Sequence, residues 1–109
     1  MNLPDKFTFT INTQTVYVSF VDKLETNRFG EFNSITNEIR VAKFVKDEEG
    51  ECHALKDEQL LNTLFHEIYH AWQFYSGHDM SEEEPCTYAG YMIEFLRSTG
   101  LIDKEETDE

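Results

Sequence analysis

Cysteine is nearly absent from this chain: Cys52 and Cys86 are the only two among 109 residues. Two thiols cannot build the disulfide framework that staples small extracellular domains, so the fold must rest on a core. A secretory signal is not expected either. The chain opens Met1-Asn2-Leu3-Pro4-Asp5 and soon alternates apolar and polar residues as Phe7-Thr8-Phe9-Thr10-Ile11. Its apolar runs stop far short of a membrane span. These shortages lead us to expect a protein of the cytoplasm, with reduced thiols and no membrane contact. Basic residues are scarce as well, nine against 22 acidic ones, for a net charge of −13. Such a surface repels a phosphate backbone, so direct nucleic-acid binding is not expected. The acidic surplus reads as a solubility device, and no segment concentrates it into a patch for a basic partner.

What is present is enough apolar material for one modest core. Hydrophobic residues make up 39% of the chain and aromatic residues 14%, which rules out a disordered polypeptide. Neither a repeat nor a domain boundary is visible. We expect one domain over residues 1–102, followed by a charged tail over 103–109 that frays.

The first half carries strand patterns. Residues 7–11 alternate, Asn12-Thr13-Gln14 supplies a turn, and residues 15–21 are rich in β-branched and aromatic side chains. Val16, Val18 and Phe20 share one face of that second strand. A polar connection leads to a short strand over 28–32, then a turn, then a fourth strand over 38–45 with Ile39 and Val41 on one face. Short connections suggest an antiparallel meander. The run Lys46-Asp47-Glu48-Glu49-Gly50-Glu51 reads as a solvated loop. Asp57 is placed to cap a helix over about 57–76. Its Leu60, Leu61, Leu64, Phe65, Ile68, Ala71, Trp72 and Tyr75 recur at three- and four-residue steps, and Gly77 ends it. A second helix is expected over about 82–98, with Pro85 in its first turn. On it Cys86, Ala89, Gly90, Ile93 and Arg97 share a face, and the small pair Ala89-Gly90 would allow close approach to the first helix. The expected class is α+β: a small antiparallel sheet of about four strands packed on a two-helix hairpin.

Inside the stronger helix lies His66-Glu67-Ile68-Tyr69-His70, an H-E-x-x-H motif. Histidines four residues apart stack on one helix face, so both imidazoles can reach one tetrahedral zinc ion. The intervening glutamate sits beside the metal, where it can take a proton from water and pass it to a leaving amine. Uncharged flanks, Leu64-Phe65 before and Ala71-Trp72 after, suit a half-buried helix of this kind.

These residues carry a family resemblance. The motif, Gly77 seven residues after the second histidine, and the acidic helix start Ser81-Glu82-Glu83-Glu84 look like the small zincins of phages and mobile elements, related to the ImmA/IrrE-like metallopeptidases. Gly30-Glu31-Phe32 followed by Glu38-Ile39-Arg40-Val41 resembles the edge hairpin that precedes the active-site helix in that group. The resemblance spans residues 15–97 and implies a minimal zincin fold, a Zn2+ cofactor and hydrolysis of a peptide bond in a protein or peptide substrate. It also implies that the sheet edge, taken as residues 38–44, holds the substrate by strand addition. Similar proteins place a third ligand, a glutamate, on the second helix. Alignment on Tyr88-Ala89 puts Glu82 there, and alignment on Ala89-Gly90 puts Cys86 there. Glu82 is preferred, Cys86 stays open, and Glu83 lies at the edge of the same face. An alternative function is a zinc-bound interaction module without catalysis. His78 misses the third-histidine spacing of metzincins and reads as a loop residue. Cys52-His53 reads as structural, and Tyr69, Tyr88 and Tyr91 as aromatic packing.

Overall fold

The computed structural model describes residues 4–11 and 13–100. The expected tail over 103–109 and Asn12 of the first turn lie outside the described residues. The element order is β1 (Lys6–Ile11), β2 (Gln14–Val21), β3 (Gly30–Asn33), β4 (Glu38–Ala42), β5 (Phe44–Lys46), β6 (Cys52–Ala54), α1 (Asp57–Ser76) and α2 (Glu83–Thr99). The class is α+β, as the sequence pattern implies: a four-stranded sheet with two helices, and a separate two-stranded hairpin.

The sheet is mixed rather than a meander. Its order is β1-β2-β4-β3, with β1 antiparallel to β2, β3 antiparallel to β4, and β2 parallel to β4. A parallel pair needs a connection of roughly a dozen residues or more, and residues 22–37, with β3 among them, provide one. β3 runs outermost and the chain returns between it and β2. The strand expected over 38–45 is therefore two. β4 ends at Ala42, and β5 leaves the main sheet to pair with β6 in a hairpin that includes Cys52 and His53. The edge beside α1 is β3, not residues 38–44, since β4 is paired on both sides.

Alternation puts Val16, Val18 and Phe20 of β2 and Ile39 and Val41 of β4 on the covered face. There they meet Leu60, Leu61, Leu64 and Ala71 of α1 and Ile93 of α2. Lys56, not Asp57, is the N-cap of α1, and its N–H donates to the Gln59 side chain at 2.8 Å. Asp57 and Glu58 then sit in the first turn, where the helix dipole favours them. Gly77 ends α1 in the left-handed region at φ 76°, and His78 N–H closes back onto the Gln73 carbonyl at 2.8 Å. In α2, Ala89 and Ile93 pack inward, whereas Gly90 faces open space and takes no part in the approach of the helices. Among the described residues no helix is long and apolar enough to cross a membrane.

Candidate metal centre

One turn of α1 separates His66 from His70, and their ring centroids lie 4.8 Å apart. Both Nε2 atoms face a single oxygen, Oε1 of Glu82, at 3.0 Å from His66 and 3.2 Å from His70. Glu82 is the N-cap of α2, so its side chain reaches back from the helix start onto α1. One ligand atom from each of these three residues lies within 4.8 Å of the others. A tetrahedral zinc ion with bonds of about 2.0–2.1 Å separates its ligand atoms by about 3.3 Å, so the trio is close to the required spacing.

The outward nitrogens decide what the inward ones present. His70 Nδ1 lies 2.9 Å from Gln73 Oε1, an acceptor, so Nδ1 carries the proton and Nε2 is left with its lone pair. That lone pair points at a carboxylate oxygen, another acceptor. Two acceptors at this distance need a cation or a proton between them, and a divalent ion fits this donor set. The Glu82 carboxyl responds to the same contacts. Burial alone would raise its pKa; with a proton rather than a metal ion between the atoms, hydrogen bonds and charge from His70 and His66 outweigh burial and lower it.

Gln73 itself is wholly buried, at 0% exposure. Its amide nitrogen reaches Ser81 O at 3.3 Å, Ser81 Oγ at 3.4 Å and Glu84 Oε1 at 3.3 Å. It thus ties the histidine helix to the segment that carries Glu82. Sequence reading passed over Gln73. The available signal was its place three residues after His70, on the motif face of an otherwise apolar helix.

Cys86 is not among the converging atoms. Its Sγ lies 3.7 Å from Nδ1 of His66, behind the ring and away from Glu82. Glu83 is exposed and outside the group. Of the three residues considered for the third position, Glu82 alone meets the Nε2 atoms of both histidines.

Glu67 lies beside this trio, only 8% exposed. Burial pushes its carboxyl up to about 7; the charges of Glu82 and Glu31 add to this, and those of His70 and Arg28 oppose it. Its neighbour across the interface is Gly30. A Cβ there would come 2.5 Å from Thr63 Cγ2 and 3.4 Å from Glu67 Cγ, so glycine is what lets the edge strand press against α1. The result is a cleft of about 460 Å³. His66, Glu67, His70 and Glu82 lie on one side, Arg28, Gly30, Glu31 and Phe32 on the β3 side, and Met80 comes from the loop between the helices. Glu31 is held by Arg40, whose Nε donates to it at 2.8 Å.

The other residues singled out in the sequence lie elsewhere. Tyr69 and Tyr88 pack together at 5.0 Å, with Phe65 and Trp72 against them. Tyr91 is 68% exposed and does not pack as expected. None of the three lines the cleft. His78 is a loop residue stacked on Trp72 at 4.5 Å. His53 Nε2 lies 2.6 Å from Asp47 Oδ2, and with Glu51 these form a second close group in the β5–β6 hairpin. There Asp47 Oδ1 already accepts the N–H groups of Glu49 and Glu51, which gives that carboxylate a loop-closing role. Comparisons of the chain with protein-family models, curated proteins and solved structures find no match.

Proposed function

We propose that this protein is a zinc-dependent metallopeptidase acting in the cytoplasm on a peptide bond of a protein or peptide substrate. The observation that carries the reading is the convergence of the two Nε2 atoms of an H-E-x-x-H helix on one oxygen of Glu82, with a buried carboxyl beside them. His66, His70 and Glu82 would hold the ion. When bound, zinc supplies a Lewis acid that polarises a carbonyl and lowers the pKa of water toward neutrality.

The chain's own part falls to Glu67. A carboxyl near pH 7 is matched to accepting a proton from the attacking water and returning it to the departing nitrogen. Gln73 keeps the His70 lone pair aimed inward while this happens. The likeness to small phage-type and ImmA/IrrE-like zincins supports the same assignment.

A second reading keeps the metal and drops the chemistry: a zinc-bound interaction module. The 76% exposure of the Glu82 side chain favours it, since an open ligand position shelters a reacting group poorly. The burial of Glu67 favours the enzyme, because a purely structural site gains nothing from a carboxyl beside its ligands. The deciding experiment measures zinc by mass spectrometry and peptide cleavage on the same samples. We expect about one zinc per chain in both the wild type and Glu67→Gln. Cleavage should fall by about 100- to 10,000-fold in the variant. Zinc-free protein after incubation with excess metal would sink both readings. Equal cleavage by the two proteins would remove the assigned base, and no cleavage by either would leave the module.

A further inference from the structure

We propose that the cleft takes an extended peptide laid against the free edge of β3, with a large apolar side chain on Phe32, Phe74 and Met80 and an acidic side chain on Arg28. The two side chains stand about four residues apart, and the scissile bond lies between them beside Glu67. This rests on the peptidase reading and names its substrate class.

Three observations carry it. First, β3 is the last strand of the order β1-β2-β4-β3, so its outward N–H and C=O groups have no strand partner among the described residues. Its ladder with β4 reaches back to Phe29, whose carbonyl accepts Ala42 N–H at 2.8 Å. An open edge beside a cleft is where an extended peptide gains main-chain hydrogen bonds.

Second, the cleft is chemically two-ended. At one end Phe32 stacks edge-on with Phe74 at 6.1 Å. Met80 lines the cleft and Phe74 stands behind Phe32; they leave 49% and 47% of their surfaces exposed, open to an apolar side chain. At the other end stands Arg28, the one cation lining the cleft. Arg40 and Arg97, the other two arginines, are ion-paired to Glu31 and Glu58. Arg28 makes no ion pair among the described residues, in a chain with 22 acidic residues. An unpaired guanidinium at the mouth of a binding cleft is suited to a carboxylate of the ligand.

Third, the spacing follows the chain. Arg28 lies two residues before β3, whose pairing with β4 reaches back to Phe29; it stands four positions from Phe32, at most about 13 Å at an extended rise of roughly 3.3 Å per residue. Gly30, midway, is the position that touches Glu67. A peptide paired with this edge advances at the same rise, so its two recognised side chains flank the bond that Glu67 serves.

The test uses zinc-loaded Glu67→Gln on an array of short peptides carrying one Asp or Glu and one Phe or Leu at every separation, with wild-type cleavage of the same peptides in parallel. We expect retention to peak near a separation of four. Replacing the acid by Lys should weaken it by about fivefold, the scale of a partly exposed ion pair. Arg28→Gln should erase the acid preference and keep the apolar one, and Phe74→Ser should do the reverse. The inference is overturned if the acid-to-Lys change leaves both binding and cleavage unaltered. It is overturned too if Arg28→Gln slows every peptide equally, since Arg28 would then act on the reacting carbonyl oxygen. Patterned retention without wild-type cleavage keeps the recognition and removes the peptidase. Cleavage without the pattern does the opposite, and neither retention nor cleavage removes both.

Discussion

Glu67→Gln should make the metal-free protein more stable, and by an amount that depends on pH. The carboxyl is lifted from an ordinary 4.5 to about 7, chiefly by burial. At roughly 1.4 kcal/mol per tenfold change in proton affinity, the ionised form is penalised in the fold by about 3 kcal/mol at most. Water in the open cleft relaxes part of that, so the expected range is about 1–3 kcal/mol.

The sign follows from which state holds the proton. Below pH 4.5 the carboxyl is protonated in both the folded and unfolded chain and costs nothing. Between 4.5 and about 7 the unfolded chain ionises while the folded chain keeps its proton, so stability falls as pH rises through that window. Above it the whole cost is present. Glutamine cannot ionise, so the variant and the wild type should match near pH 4 and separate toward pH 8, with the variant ahead. Urea denaturation of the chelated proteins across this range measures it directly. Parallel stability curves at every pH would refute the claim that burial strains this carboxylate.

Three further outcomes are expected. Glu82→Ala should weaken zinc by more than the roughly 10- to 100-fold typical of losing an outer partner, while Cys86→Ala should change affinity by less than about tenfold; competition titration against a chelator would reverse this order if the sulfur were the ligand. Gly30→Ala should destabilise by about 1–3 kcal/mol through its clash with Thr63, and an unchanged urea midpoint would mean that β3 does not press on α1. Gln73→Met should lower zinc affinity by about 10- to 100-fold, and the imidazole nitrogen resonances of His70 should show both tautomers where the wild type shows one.

How much of this was legible in the sequence depends on whether the information is local. The two helices and their C-terminal ends were, because Gly77 and Gly100 stop a 3.6-residue pattern in the conformation that glycine adopts freely. The inward faces of β2 and β4 were, because alternation fixes them. Pairing was not. A rule about short connections holds between neighbouring strands, and here β4 returns to the inside of β3, so the parallel contact of Val18 with Ile39 joins strands that are not consecutive. The free edge beside α1 was misplaced for the same reason.

At the site, the helix carried its own address and the third residue did not. Helical periodicity puts Glu82 and Cys86 on one face, a single turn apart, and both do reach His66. They reach opposite nitrogens: Glu82 faces Nε2 and Cys86 faces Nδ1. Only the path of the chain between the helices decides this. Gly77 turns the chain at the end of α1, and Gln73 then holds Ser81 and Glu84 on either side of Glu82. A single buried amide therefore sets two things together, the tautomer of His70 and the position of the carboxylate that faces it. That coupling separates two kinds of defect. On the proposed reading, loss of Glu82 removes a ligand and leaves the histidines aimed, whereas loss of Gln73 leaves all three candidate ligands in the chain and spoils their convergence.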